Sequence, residues 1–158
     1  MATSSEYVVS VENAAPRMIA AVHANMAIRD VPATFGRYLD QVYAAAKAGA
    51  VKLDGQNIFV YRDAPGRPGY ADVAFGVGLA APFTGAGNVQ ATPLPLGEAA
   101  HVTHRGSYAG IGAAHNAIKE WCNDHGRHRV GVRWEIYGHW TDNESELTTD
   151  IFHLLAPA

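Results

Sequence analysis

The residues best suited to chemistry lie in the segment RWEIYGHW, residues 133–140. In a β-strand, alternate side chains face the same side, so Glu135, Tyr137 and His139 are predicted to share one face. Trp134 and the isoleucine after Glu135 would share the other face and pack under a helix. The segment therefore predicts a strand that presents one carboxylate beside aromatic and polar neighbours.

A carboxylate surrounded by aromatic rings suits two kinds of chemistry. The matching strand in the first half of the chain carries Phe59 and Tyr61, which are predicted to face the same cleft as Glu135 and Tyr137. The rings would give a lipophilic cation apolar burial and cation–π attraction, and the carboxylate would supply the opposite charge. A glutamate desolvated among rings would also have a raised pKa and could act as a general acid or base. The alternative is that Glu135 lies on a solvated sheet face and pairs with an arginine.

The histidines do not form a recognisable metal site. His101 and His104 are three residues apart on a predicted strand and would face opposite sides. His125 and His128 have no third and fourth ligand at the spacing that zinc sites use. His115 lies on the apolar stripe of a predicted helix and is interpreted as a hydrogen-bonded core histidine. The sequence therefore predicts no metal.

Nucleophilic and nucleotide-dependent chemistry also lack their usual signals. No serine lies in a G-x-S-x-G turn, and the single cysteine, Cys122, falls in the middle of a predicted helix. The glycines of GYADVAFGVGLA, residues 69–80, do not follow a strand and open a helix as in dinucleotide-binding sites. We expect no cofactor.

Periodicity predicts two successive ββαββ sets. The strands of the first set are YVVSVENAAPR and RMIAAVHAN, read as an opening hairpin, then QNIFVYRD and YADVAFGVGL, with a helix from Val31 that is capped by Asp30 and ends near Gly49. The strands of the second set are NVQATPL, EAAHVTHR, VRWEIYGHW and ELTTDIFHLL, with a helix from Ser107 to His125 that ends at Gly126. Short matches between the two halves, such as VHAN with THRG, favour an internal repeat.

The predicted fold is α+β, built from duplicated ββαββ units related by a pseudo-twofold axis. Repeat 1 would span about residues 5–82 and repeat 2 about residues 88–158, within one domain of residues 1–158. Each unit would contribute one antiparallel sheet and one helix, and a central ligand cleft would lie between the units.

Composition narrows the partners and the location. The chain has 158 residues, 48% hydrophobic and 17% charged, with a formal net charge of −3. It has no basic run and no long apolar segment, so we expect neither nucleic acid nor a membrane as partner. The single cysteine and the lack of a leader at the N-terminus predict a cytoplasmic protein. The length leaves no room for an added DNA-binding module, so we expect a stand-alone domain.

The second half resembles a known family. Its pattern is a strand that ends in H-x-G-x-Y, an amphipathic helix with a late tryptophan, and a W-E-[IV]-Y strand. The matching residues are His104, Gly106, Tyr108, Trp121 and the tetrapeptide at 134–137. Over Glu98 to Pro157 the chain is similar to the GyrI-like small-molecule-binding domain, which includes effector-binding domains of AraC-type and MerR-type activators.

The resemblance implies two units around a ligand cleft, with Glu135 as its central polar group. Some stand-alone members resemble hydrolases of cyclopropane-bearing alkylating compounds, other members bind amphiphilic drugs, and one branch binds DNA gyrase. This sequence has Ser107 where a proline is usual, and GHWTDNE where D-P often follows the last motif. His139 and Trp140 would therefore reshape the mouth of the cleft.

The leading functional prediction is binding of aromatic or cationic, largely apolar small molecules. The predicted ligand-binding residues are Glu135, Tyr137, Tyr61, Phe59, Tyr108, Trp140 and His139. The alternative is hydrolysis of a strained electrophile, in which Glu135 and Tyr137 would be catalytic. A protein-interaction role ranks last, because TDNESE at residues 141–146 is the only acidic cluster and is more simply a solvated turn.

Overall fold

The computed structural model describes residues 7–158, which form eight β-strands and two α-helices. The strands are β1 (Ser10–Ala14), β2 (Met18–Ala27), β3 (Leu53–Asp63), β4 (Tyr70–Leu79), β5 (Gln90–Pro93), β6 (Gly97–Arg105), β7 (Arg129–Tyr137) and β8 (Thr148–Leu155). The helices are α1 (Val31–Lys47) and α2 (Ile111–His125). The α+β class is confirmed. Four antiparallel strands lie in each of the two units described below, and the arrangement of the strands as two separate sheets stays a prediction.

The chain divides into two units. The middle unit comprises Pro16–Leu94, and the terminal unit comprises Pro95–Ala158 together with residues 7–15. Within the part of the chain that the structure describes, no helix has the length and apolar character needed to cross a bilayer.

The middle unit orders its strands β3-β4-β2-β5 and packs α1 against β2 and β4. The predicted turn at 64–69 joins β3 to β4, and its glycines, Gly66 and Gly69, have φ of 70° and 81°, which favour glycine. Asp30 is the residue before α1 as predicted, but its side chain makes no capping hydrogen bond. A 3₁₀ turn, Ile28–Asp30, leads directly into α1 and holds Asp30 in a helical conformation that does not suit a capping side chain.

The terminal unit orders its strands β1-β6-β8-β7 and packs α2 against β6 and β8. Helix α2 ends where the sequence predicts, because Gly126 has a left-handed φ of 64° and donates its N–H to the carbonyl of Cys122. The helix buries an apolar stripe on the strands. This core consists of Ala100, Val102, Ala114, Ile118, Cys122, Ile151 and Leu155.

The predicted opening hairpin is wrong. Strand β1 pairs with β6, with Ser10 opposite His101, whereas β2 pairs with β4 and β5. The three residues between β1 and β2 include Pro16, and β1 gains a side-chain ion pair from Glu12 to His101 on β6. The first strand therefore belongs to the terminal unit, not to the first repeat. Each unit has the same pairing order, a β-α-β-β run with one added edge strand; an origin by duplication stays a prediction.

Candidate functional site

Glu135 lies on β7 and faces helix α2 of its own unit. It is opposite Ile151 on β8, and directly opposed residues of an antiparallel pair share a face. Ile151 belongs to the core under α2. The predicted orientation of β7 is therefore wrong, because it placed Trp134 rather than Glu135 under the helix. Trp134 instead stacks on Phe152 at 5.0 Å on the other face.

The error has a physical reason. Trp134 is 2% exposed and Glu135 is 6% exposed, so this part of β7 is buried on both faces. Alternation assigns residues to two faces, but polarity cannot tell which face meets the helix when both are covered. The alternative of a solvated Glu135 is also excluded by this burial.

A continuous line of hydrogen bonds passes through the carboxylate of Glu135. The Tyr137 hydroxyl donates to Oε1 of Glu135, and Nε2 of His115 lies 2.7 Å from Oε2. On the other side of the His115 ring, Nδ1 lies 2.7 Å from Nε2 of His153. An ionised carboxylate can only accept, so His115 donates its Nε2–H to it. We call Tyr137, Glu135, His115 and His153 the carboxylate–histidine chain.

His153 is the neutral end of this chain. It is 2% exposed, and burial, followed by the positive charges of His115, Arg133, Arg129 and Lys119, lowers its pKa from 6.5 to about 2. A neutral imidazole has one donor and one acceptor nitrogen. Nε2 of His153 can therefore donate to His115 or accept from it, depending on the tautomer.

An aromatic pair adjoins the carboxylate. The ring of Tyr108 meets that of Tyr137 edge to face, with centroids 5.7 Å apart, and Tyr108 is 40% exposed. Its position is set by the turn before α2, where His104 contacts the carbonyl of Ser107 through Nε2 at 2.8 Å. The other ring nitrogen of His104 contacts the hydroxyl of Tyr7 at 3.0 Å. The H-x-G-x-Y motif thus anchors the turn that presents Tyr108.

A buried hydroxyl lies next to this site. Thr149 on β8 is opposite Tyr137 and fully buried, and its Oγ1 finds no hydrogen-bond partner within residues 7–158. An unpaired buried polar group is unfavourable, so a water molecule or a polar atom of a ligand would stabilise it.

The predicted site residues separate into two groups. Glu135, Tyr137 and Tyr108 come together in the terminal unit, and His139 and Trp140 follow β7 as exposed residues, with Trp140 70% exposed. Phe59 and Tyr61 are buried on β3 of the middle unit, where Phe59 packs edge to face on Phe75. Their part in a cleft with Glu135 stays a prediction.

Sequence reasoning missed two members of the chain. His115 was expected to be a hydrogen-bonded histidine on the apolar stripe of α2, which the structure confirms, but its bond to Glu135 was not predicted. No motif or spacing in the sequence predicts a role for His153. The available signal was its position between Ile151 and Leu155, both buried in the core under α2. A histidine at a core-facing strand position needs polar partners, and His115 was the candidate on the facing helix.

A second polar cluster lies on the opposite face of the strands. Nδ1 of His101 lies 2.6 Å from a carboxylate oxygen of Glu12, and Nε2 lies 2.8 Å from one of Asp150. Burial alone would lower the pKa of His101, but its hydrogen bonds and the charges of both carboxylates outweigh burial and raise it. The hydrogen bond from His101 lowers the pKa of Asp150. Burial alone would raise this pKa, and the hydrogen bond from Thr103 lowers it further. The cluster borders a shallow cavity of about 490 Å³ whose lining does not include Glu135. Its ion pairs connect β1, β6 and β8.

Comparisons with known proteins show the family through a family model and the fold through solved structures. A family model for the GyrI-like small molecule binding domain matches residues 8–155. The crystal structure of the EcmrR C-terminal domain is similar, with a TM-score of 0.73 and 18% identity, covering 96% of this chain and 99% of that one. In the complex of EcmrR with DNA, the similar region is 58% of the EcmrR chain. No curated protein matches the chain.

Two further structures share the fold. SAV2435 bound to tetraphenylphosphonium has a TM-score of 0.64 and 8% identity, covering 94% of each chain. A hydrolase from Listeria innocua has a TM-score of 0.53 and 10% identity, covering 94% of this chain and 91% of that one. At sequence identities this low, the similarity shows a shared fold.

Proposed function

Because the chain belongs to the GyrI-like small-molecule-binding family, we propose that its terminal unit binds lipophilic aromatic cations, with Glu135 as the opposing charge. The observation that carries this proposal is a buried carboxylate, 6% exposed, hydrogen-bonded to a tyrosine whose ring packs on the half-exposed Tyr108. A cation at that point would find both a negative charge and aromatic rings.

Burial makes Glu135 an effective recognition group. A charge removed from water interacts strongly with its neighbours, because little solvent remains to screen it. The Tyr137 hydroxyl and the His115 imidazole both bond to the carboxylate and hold it in one orientation. Such an oriented carboxylate discriminates a cation from a neutral molecule of the same shape.

The aromatic surface supplies the apolar part of the binding energy. Tyr108 and Tyr137 present ring edges and faces next to the carboxylate, and each ring face attracts a cation. Trp140, 70% exposed, and His139 beside it are proposed as further contacts, since covering so large an apolar ring would favour association. The structure of SAV2435 with tetraphenylphosphonium supports this choice of ligand class on the same fold.

The test is calorimetric titration of the purified protein with tetraphenylphosphonium, and with neutral triphenylphosphine oxide as the matched uncharged compound. We expect the phosphonium to bind more tightly. Glu135→Gln should weaken phosphonium binding by about 1–3 kcal/mol, or roughly 5–150-fold, the worth of a charge-assisted contact. Binding of the neutral oxide should change little.

Glu120→Gln is the control, because Glu120 is an exposed carboxylate on α2 and its loss removes the same formal charge. A wild-type protein that binds no phosphonium, or a Glu135→Gln variant that is folded and binds as tightly as Glu120→Gln, would refute the proposal. Circular dichroism and thermal melts establish that both variants are folded.

Hydrolysis of a strained electrophile is the second candidate, and the carboxylate–histidine chain favours it. Glu135 would take a proton from water, the oxygen would bond to a cyclopropane carbon, and the ring bond would break with its electrons passing to a conjugated carbonyl. Reprotonation would complete the addition of water. The hydrolase from Listeria innocua that shares this fold supports the choice of such chemistry. Mass spectrometry tests this candidate. Hydrolysis requires that the wild-type protein form more product than there is protein, and that Glu135→Gln form none.

The proposal involves no other partner. From the net charge of −3 and the absence of a basic run in the sequence, we infer that nucleic acid is not a partner. A protein-interaction role such as gyrase inhibition still ranks last, and a cytoplasmic location stays a prediction from the sequence.

A further inference from the structure

The hydroxyl of Thr149 is a fully buried hydrogen-bonding group without a partner among residues 7–158. Resting on the proposed cation binding at Glu135, we propose that this hydroxyl is a further ligand-binding group of the same site. The ligand is then an aromatic cation that also carries a hydrogen-bonding atom, such as the oxygen of a hydroxyl or a carbonyl.

Strand pairing places Thr149 between two residues of the terminal unit's site. Thr149 is opposite His104 on β6 and opposite Tyr137 on β7, and directly opposed residues of antiparallel strands share a face. Ile151, two residues further along β8, belongs to the core under α2. Alternation along the strand gives Thr149 the same face, so its side chain points toward the side of the strands that carries Glu135 and Tyr137.

The turn before α2 lies over both neighbours of Thr149. The ring of Tyr108 packs on that of Tyr137, and a Cβ at Gly110 would lie 2.8 Å from Cε1 of His104. Tyr108 is 40% exposed, so a ligand that packs on its ring lies at the outer edge of this cover. The route from solvent to the buried hydroxyl therefore passes the ring of Tyr108.

The polar groups beside Thr149 are engaged elsewhere. The Tyr137 hydroxyl donates to Glu135, and the ring nitrogens of His104 contact the hydroxyl of Tyr7 and a backbone carbonyl. A threonine hydroxyl has one donor and two acceptor positions, and leaving them unpaired in a folded interior is unfavourable. A polar atom of a ligand removes that penalty when it bonds to Thr149, so the contact favours ligands that have such an atom.

The spacing of Thr149 and Glu135 indicates the shape of the ligand. Glu135 is opposite Ile151 and Tyr137 is opposite Thr149, so Glu135 and Thr149 are diagonal neighbours. Diagonal neighbours of an antiparallel pair lie roughly 7–8 Å apart. A ligand whose positive centre and hydrogen-bonding atom are separated by one aromatic ring can therefore meet both residues.

The experiment compares benzyltriphenylphosphonium with its ortho-, meta- and para-hydroxybenzyl analogues by calorimetric titration at pH 7. The four cations have the same charge, and the analogues place one added hydroxyl at three distances from phosphorus. We expect at least one analogue to bind about 3–10-fold more tightly than the parent, the worth of a neutral hydrogen bond. In Thr149→Val, which lacks the hydroxyl, this advantage should disappear, whereas binding of the parent should change little.

Two further variants isolate the hydroxyl. Thr149→Ser keeps it and should keep the preference for the hydroxylated analogue. Thr148→Val is the control, because Thr148 is the preceding residue on β8 and faces the other side; it should behave as wild type. Thr149→Val should melt no lower than wild type, since it loses no hydrogen bond within residues 7–158. A large fall in its Tm would give the hydroxyl a structural role and overturn the inference.

The outcomes separate this inference from the binding proposal. If the parent cation binds in a manner sensitive to Glu135→Gln but no analogue binds more tightly, the hydroxyl of Thr149 serves a bound water only. The inference is then wrong and the binding proposal stands. An advantage that survives in Thr149→Val has the same consequence. Failure of the parent cation to bind, or equal binding to wild type and Glu135→Gln, overturns both.

Discussion

Acidification from pH 6.5 to about pH 5 is expected to destabilise the folded chain through His153. The pKa of His153 is about 2 in the folded chain and 6.5 in the unfolded chain. Below pH 6.5 the unfolded state therefore binds a proton at this residue that the folded state does not bind. The pKa of this base is depressed, so its contribution to stability is present above pH 6.5 and is lost as pH falls. At 1.36 kcal/mol per pH unit, the loss by pH 5 is about 2 kcal/mol. For a chain of this length, that is a fall in Tm of roughly 4–8 °C.

The perturbation is His153→Gln, which keeps an amide near Nδ1 of His115 but does not titrate. Thermal melts at pH 7.5 and pH 5 should show the variant losing about 2 kcal/mol less than wild type on acidification, whatever its stability at pH 7.5. His125→Gln, which removes an exposed histidine, should keep the wild-type fall. Equal falls for wild type and His153→Gln would refute the reasoning, because the pH sensitivity would then come from other groups.

Two further changes test the packing of the terminal unit. His101→Gln should lower stability by about 1 kcal/mol at pH 6, the sum of two ion pairs to carboxylates that are 47% and 43% exposed, and by less at pH 9. The pKa of His101 is raised, so its contribution is complete below pH 6.5 and lost as pH rises through the folded value; an equal loss at both pH values in thermal melts would contradict this. Gly110→Ala should destabilise by about 1–3 kcal/mol in urea unfolding, since its Cβ would lie 2.8 Å from Cε1 of His104, whose ring is bonded on both sides. Gly112→Ala, with nothing within 4 Å, should leave stability unchanged or raise it by less than about 1 kcal/mol; similar losses in both would be evidence against the steric account.

The sequence predicted the elements better than their partners. Helix α2 was found because an apolar stripe and a terminal Gly126 are local signals, and the turn between β3 and β4 because Pro and Gly specify it. Strand β1 was paired with the wrong neighbour. Its true partner, β6, lies more than eighty residues away along the chain, and no local pattern encodes such a pairing.

The sequence predicted only part of the candidate site, because local patterns do not encode contacts between distant elements. Glu135, Tyr137 and Tyr108 were selected by residue type and motif, and they do lie together. The histidines behind Glu135 come from α2 and β8, so their approach depends on how a helix docks on a sheet. Only after that docking is known does His115 become a partner of the carboxylate rather than a polar interruption in an apolar stripe.

The two histidine clusters of the terminal unit oppose each other in their dependence on pH. His101 stabilises as pH falls toward 6.5, because its carboxylate partners raise its pKa, whereas His153 destabilises once pH falls below 6.5. Asp150, whose pKa is lowered first by its bond to His101, adds stability above pH 3.8 that is lost as pH falls through its folded value. The contributions of these three groups therefore sum to a maximum near pH 6.5. His101 lies on one face of the strands and His153 on the other, so each can be replaced separately. His101→Gln removes the contribution that is lost as pH rises, so it should move the pH of maximum stability upward. His153→Gln removes the destabilisation at low pH, so it should move that pH downward.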